Sequence, residues 1–167
     1  MIRLLRDEDA EVYAALRRES LIEAPLAFAS SPDDDSVSDP EAVRQHLRRG
    51  PDTAIFGAFG EQRLIGSVGL YRDRHVKAAH KAHLWGMYVT PSMRRSGVGS
   101  ELLRAAIAHA RGLGRVSWVH LGVTSAAPGA LRLYASAGFR PWGTEPEALR
   151  HDGHAVSQVH MALRLDG

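Results

Sequence analysis

The sequence predicts an α/β protein in a single domain over residues 1–167, built on a mixed sheet. Three observations carry that expectation. Segments with strand and helix periodicity alternate along the whole chain in the order β-α-α-β-β-β-α-β-α-β-β. No internal repeat and no long linker divides the 167 residues, and 44% of them are hydrophobic, enough for a core without staples. In the middle of the chain, an apolar run, a glycine-punctuated loop and an amphipathic helix follow one another directly between His83 and Arg111.

Taken in order, Ile2 to Arg6 alternates as a short strand. Asp7 is placed to cap the helix that follows, with Glu8 and Asp9 in its first turn and Val12, Leu16 and Leu21 on its inward face. Periodicity is lost between Ile22 and Val37, where Pro25 interrupts and Ser30 to Ser36 is loop chemistry. Ser38-Asp39-Pro40-Glu41 opens a second helix, with Ser38 as cap and Glu41 three residues on, and Arg49-Gly50-Pro51 stops it. Thr53–Phe59 and Leu64–Tyr71 read as a hairpin turning at Gly60-Glu61-Gln62-Arg63. A hydrophilic connection, Arg72 to Lys81, leads to the central strand ending Leu84 to Val89. The central helix carries Val98, Leu102, Leu103, Ala106, Ile107 and Ala110 on one stripe and ends at Gly112 and Gly114. Val116–Val123 is a further strand and Pro128–Ala137 a shorter helix closed by Gly138. Phe139–Trp142 is a strand, a loop runs through Pro146, and His154–Leu165 alternates to the end.

Composition removes several function classes. There is no cysteine, hence no disulfide, thiolate nucleophile or Cys-ligated metal. The first residues are charged, with no apolar leader, and no run approaches a membrane span of ~18 apolar residues. The formal charge of +2 comes from dispersed arginines, without the basic block that nucleic acid would call for. A soluble cytoplasmic protein is expected, with no membrane and no nucleic-acid partner. His75, His80 and His83, and His151, His154 and His160, lack the spacing of a metal site, so no metal is expected. No G-x-S-x-G elbow supports a serine hydrolase.

Strand, glycine loop and helix is the general design for holding a phosphate, because the first N–H groups of the helix are unpaired. A Walker A loop would need Gly-Lys-Ser/Thr where Gly99-Ser100-Glu101 stands, and a dinucleotide fingerprint would need a small residue at Leu102. The pattern that fits is R-x-x-G-x-G at Arg94, Gly97 and Gly99, preceded by Val89-x-Pro91. With it goes Ala130-x-x-Leu133-Tyr134-x-x-x-Gly138-Phe139 further on. On these two motifs and the element order, nearly the whole chain resembles the GNAT (GCN5-related N-acetyltransferase) superfamily.

That resemblance implies a sheet splayed at its middle strands with helices on both faces, and acetyl-CoA as co-substrate. Its pantetheine would run along Met87, Tyr88 and Val89, and its pyrophosphate over Arg94, Arg95, Ser96, Gly97, Val98, Gly99 and Ser100. Tyr134 would stand at the thioester sulfur as proton donor to the leaving thiolate; by spacing alone it reads as a core tyrosine. The family often has Asn where Ala127 stands, so that contact is expected to be missing or supplied by Ser125 or by backbone. An attacking amine must lose a proton, and the family's central-strand base position, eleven residues before Arg94, is His83. A half-buried strand histidine is the equal alternative there. Glu145 and Glu147 are weaker base candidates. The acceptor is expected between Leu21–Val37 and Trp142–Asp152, where Glu23, Phe28 and Asp33-Asp34-Asp35, with Trp142, Glu145 and Glu147, would favour a cationic amine of a small molecule or peptide. A solvated acidic loop is at least an equal reading of the same residues. Dimers are common in the family, which suggests a homodimer. The rival is a non-catalytic acyl-CoA-binding or regulatory domain that kept the loop and lost a competent base.

Overall fold

A computed structural model describes residues 1–61 and 63–165; Gln62 of the expected hairpin turn lies outside the described residues. The strands are β1 (Ile2–Leu4), β2 (Thr53–Gly60), β3 (Arg63–Arg72), β4 (Lys81–Val89), β5 (Trp118–Thr124), β6 (Arg140–His151) and β7 (His154–Arg164). The α-helices are α1 (Ala10–Glu23), α2 (Pro40–Leu47), α3 (Val98–Gly112) and α4 (Pro128–Ser136). They follow the expected order and form one seven-stranded sheet, β1-β2-β3-β4-β5-β7-β6. All neighbouring pairs are antiparallel except β4 with β5.

That parallel pair is the weak seam of the sheet. It joins Lys81 to Trp118, Ala82 to Val119 and His83 to His120, and then the strands part. From Leu84 onward β4 has no partner on that side, while β5 continues its pairing with β7 as far as Thr124. The sheet is therefore splayed at its centre. Just beyond the parting, β4 bulges: its register against β3 shifts between Ser67 and Gly69, and Gly86 takes φ +62, a conformation glycine adopts without a Cβ penalty. The Trp85 indole, next to the bulge, packs against Gly69 of β3 in the space a Cβ would fill.

Two cores flank the sheet. The α3 stripe of Leu102, Leu103, Ala106 and Ile107 packs on Phe56, Val68, Leu70, Leu84, Val119 and Leu121, as its periodicity predicts. On the other face, Tyr13 and Leu16 of α1 and Val43 of α2 cover Ile55, Leu64 and Tyr88.

Four local expectations need correction. Val12 faces solvent at 47% exposure, because α1 buries Ala10, Tyr13, Ala14, Arg17 and Ser20 beside Leu16 and Leu21, a face made largely of small and polar residues. Asp7 does not cap α1; a single 3-10 turn, Asp7–Asp9, comes first. There the Asp9 carboxylate takes the Arg6 N–H at 2.8 Å and the Arg3 guanidinium at 2.7 and 2.9 Å, tying β1 to α1. Asp39 rather than Ser38 caps α2, accepting the Ala42 N–H at 3.0 Å with Pro40 in the first position. Finally, the segment after Trp142 is not a loop. β6 continues to His151 through two register shifts, which is how a strand accommodates Gly143 and Pro146 at a sheet edge.

A Cβ on Gly69 would fall 2.1 Å from the Trp85 indole. Gly69→Ala should therefore destabilise the fold by about 1–3 kcal/mol, the usual range for overpacking. Urea unfolding checks this, and Gly143→Ala, where a Cβ meets nothing within 4 Å, should stay within about 0.5 kcal/mol of the wild type.

Candidate active site

The parting of β4 and β5 opens a cleft of about 1130 Å³, bounded by the end of α1 and the segment after it, by Met87–Val89, by the glycine loop and by the start of α4. Of the residues singled out in the sequence, Glu23, Phe28, Met87, Tyr88, Val89, Arg94, Arg95, Gly97, Gly99 and Ser100 line it. Ser96 and Val98 stand within the same loop, with the Ser96 hydroxyl turned back onto the Met93 carbonyl and Val98 against the core.

The loop is shaped by alternating backbone conformations. Arg95 has φ +62 and Gly97 φ +89, around Ser96. Gly97 is the N-cap of α3, and its conformation, not its lack of bulk, requires glycine, since an added Cβ would meet nothing within 4 Å. Gly99 has the opposite reason: its Cβ would lie 3.2 Å from the Leu133 side chain of α4, so its absence lets the start of α3 pack closely on α4. The first loop–helix backbone bond is Glu101 N–H to the Gly97 carbonyl at 3.1 Å. The N–H groups of residues 95–100 before it have no acceptor among the described residues. Consecutive free N–H groups at a helix start form a concave anion site.

The two arginines of the loop have different duties. Arg94 reaches back to α1, donating to Glu23 at 2.7 and 3.3 Å and to the Val89 carbonyl at 3.0 Å, and lies over the Tyr88 ring. The bond from Arg94 holds the Glu23 carboxyl below the usual carboxylate range. Glu23 is thus engaged by Arg94, and its charge is spent on closing the loop against α1. Arg95, exposed, has no partner among the described residues. Neither does the Arg132 guanidinium, which lines the cleft from α4 and which nothing in the sequence singles out beyond its place inside the second motif.

The acidic run after α1 is likewise committed. Asp35 and Arg17 form a buried bidentate pair at 2.8 and 3.1 Å, with side-chain exposures of 2% and 8%. Burial pushes the Asp35 carboxyl up, but the Arg17 bond and charge, with help from Ser30 and the Val37 N–H, outweigh it and leave it lowered. Arg17 is stacked between Phe28 and Trp85. Phe28 in turn meets Tyr88 edge-on. Asp34 accepts the Ser31 N–H, leaving Asp33 facing solvent.

Tyr134, on α4, is buried with its ring edge-on to Phe139, and its hydroxyl has no hydrogen bond among the described residues. Desolvation pushes its pKa well up, so the phenol keeps its proton at any working pH. Ala127 lines the cleft at the start of α4; Ser125 is exposed and spends its N–H on the Ser157 carbonyl.

His83 stands on the last paired residue of β4, at the point of parting. Its Nε2 lies 2.7 Å from Asp73 Oδ2, its ring stacks on Tyr71 at 4.7 Å, and His120 of β5 is 5.6 Å away. Burial, then the charges of His83 and Lys81, push His120 down. Trp142, 64% exposed, Glu145 and Glu147 sit on β6, outside the cleft. Trp142 lies against His120 and His160, Glu145 is 3.2 Å from His160, and Glu147 pairs with Arg150. Among the described residues no group of His, Asp and Glu gathers as a metal site, and no helix is long and apolar enough to cross a membrane.

Comparison with known proteins bears on this geometry. The Acetyltransferase (GNAT) family matches residues 14–139. A 57-residue segment, 34% of this chain, is 42% identical to a mycothiol acetyltransferase from Nocardiopsis dassonvillei; the match spans 17% of that protein's length. Among solved structures, a GCN5-related N-acetyltransferase from Kribbella flavida is 27% identical, with a TM-score of 0.83, covering 99% of this chain and 97% of that one. A putative acetyltransferase from Salmonella typhimurium, solved with its cofactor acetyl-CoA, has a TM-score of 0.86 at 19% identity over 100% of this chain and 94% of its own.

The buried Arg17–Asp35 pair yields a stability prediction. Asp35→Ala leaves a buried guanidinium uncompensated and should cost about 3–5 kcal/mol. Asp33→Ala should stay within about 0.5 kcal/mol of the wild type. Chemical denaturation of both variants checks the contrast.

Proposed function

The chain belongs to the GNAT acetyltransferase family, and on that premise we propose that it moves an acetyl group from acetyl-CoA directly to a primary amine of a small molecule or peptide. The observation that carries this reading is the continuity of the cleft. One end is a row of unpaired N–H groups at residues 95–100, and the wall is the edge of β4 from Leu84 to Val89, which has no strand partner there and whose Val89 carbonyl is taken by Arg94.

Acetyl-CoA supplies an acetyl group already activated as a thioester. The N–H groups of residues 95–100, with Arg95, suit its diphosphate. Arg132 is a second unpaired cation at the mouth. The open edge of Met87–Val89 suits the amides of its pantetheine arm, as a strand edge suits a further strand. Arg94 acts indirectly, by fixing the loop to Glu23.

The amine must arrive neutral or lose a proton on the way. His83, at the root of the parting, accepts it, directly or through water. In the net change a carbon–nitrogen bond forms, the carbon–sulfur bond breaks, His83 gains the amine proton, and the thiolate gains the Tyr134 proton, which solvent restores. No covalent intermediate on the protein is required. On the acceptor side, Phe28 lines the cleft edge-on to Tyr88. With Glu23 and Asp35 already paired, the approach is less acidic than the sequence suggests, and apolar and aromatic surface dominates it. Trp142, on the outer strand, could reach only the far end of an acceptor.

Two experiments test the reading. Ser100 is exposed at the start of α3 with ordinary helical backbone, so Ser100→Glu puts a carboxylate into the anion site without straining the loop. Calorimetry should find micromolar acetyl-CoA binding in the wild type and a loss of at least about 10-fold in this variant; equal affinities would overturn the cofactor site. Thiol release across a panel of aliphatic and aromatic amines, amino acids, amino sugars and short peptides then reads turnover. Tyr134→Phe should lower kcat by about 10²-fold with little change in acetyl-CoA affinity. Equal losses in both would make Tyr134 a packing residue, and no turnover of any amine by a binding-competent wild type would favour a non-catalytic domain.

A further inference from the structure

Asp73 has no place in either sequence motif. It lies just past the end of β3, and its backbone N–H bonds to the Lys81 carbonyl at 3.1 Å, which fixes it beside the first residue of β4. From there its carboxylate reaches His83 Nε2 at 2.7 Å, with Lys81 Nζ at 3.6 Å. Both side chains are about three-quarters buried, at 25% and 26% exposure. The imidazole is held in its plane as well, since Tyr71, its cross-strand partner, stacks on it within 14° of parallel.

We infer that Asp73 is a positioning residue for the proposed reaction: it takes the Nε2 proton of neutral His83, fixes that tautomer, and leaves Nδ1 as the atom that accepts the amine proton. This rests on the reading of His83 as the base. An ionised carboxylate only accepts, so a 2.7 Å bond to it requires the proton on Nε2. The hydrogen bond from His83 is the chief cause that keeps the Asp73 carboxyl ionised, well below its ordinary range. When Nδ1 takes a proton, the imidazolium forms against a carboxylate already in place. The proton then leaves from Nδ1 to solvent, and Asp73 never becomes protonated.

The groups that face His83 set the sign of the pH effect. They are Tyr71 from β3, Asp73 from the connection, Lys81 on β4 and His120 from β5. Asp73 is the only carboxylate among them, so removing its charge disfavours the imidazolium.

The test is the pH profile of Asp73→Asn, Asp73→Glu and His83→Gln, read as thiol release from acetyl-CoA with the best amine of the panel and with water alone as acceptor. Asp73→Asn should lower kcat by about 10- to 100-fold, leave the affinity for acetyl-CoA unchanged and move the acidic limb of kcat/KM to lower pH. Asp73→Glu should restore part of the rate. An unchanged limb and rate in Asp73→Asn, with the limb lost in His83→Gln, would overturn the role of Asp73 alone. A wild-type limb and rate in His83→Gln would overturn His83 as base, and Asp73 with it. Long-range ¹⁵N–¹H correlation of the His83 ring in the free wild-type protein gives a readout without turnover: the proton should sit on Nε2, and a neutral ring protonated on Nδ1 would contradict the assignment.

Discussion

The geometry of the candidate site depends on one backbone event, the failure of β4 and β5 to stay paired beyond His83 and His120. Parallel strands three pairs long give up little by parting, and each has somewhere else to go. β5 is held by β7 along its full length, and β4 is held by β3 across the bulge at Gly86. A bulge bends the strand that carries it, so β4 swings away from β5 while keeping its other neighbour. The result is a wedge lined by backbone that the fold itself leaves unsatisfied, which in a buried setting calls for a ligand with matching donors and acceptors.

The charged groups around this wedge are mostly employed in building it. Arg94 closes the glycine loop onto Glu23, and Arg17 with Asp35 pins the segment after α1 over Trp85 and the bulge. Removing either partner of the buried Arg17–Asp35 pair is costly, so that contact specifies one arrangement of the cleft wall more than it adds stability; the Arg94–Glu23 pair is exposed and contributes little beyond geometry. The charges left free at the mouth, Arg95 and Arg132, are those placed to meet an anion arriving from solvent. The proposed base is built in the same way: His83 stacks on its cross-strand partner Tyr71 and contacts Asp73, both brought there by the β3–β4 hairpin.

The sequence made legible whatever depends on near neighbours in the chain. The 3.6-residue stripe of α3, the glycine loop, the closing of α4 at Gly138 and the order of elements were all readable, and two motifs were enough to place the chain in its family. What was not readable pairs residues far apart. Arg94 and Glu23 are 71 positions from one another, Arg17 and Asp35 18, and the carboxylates concerned look in sequence like a free acidic approach for a cation. Asp73 was hidden for a related reason: it sits in a stretch of charged residues that reads as solvated connection, and only the hairpin register brings it to His83. The outer half of β6 was misread because Gly143 and Pro146 carry turn chemistry, which an edge strand absorbs by slipping register. Val12 was misread because α1 turns small and polar residues inward.

The central claim is that the parted strands and the glycine loop together form one acetyl-CoA site. Amide hydrogen exchange on the free protein and at saturating acetyl-CoA tests it most directly, because it reads the backbone groups the claim names. The account predicts slowed exchange concentrated at residues 95–100 and along Met87–Val89, with β1, β2 and α2 unchanged. Binding without protection at those amides, or protection confined to another face of the sheet, would contradict it.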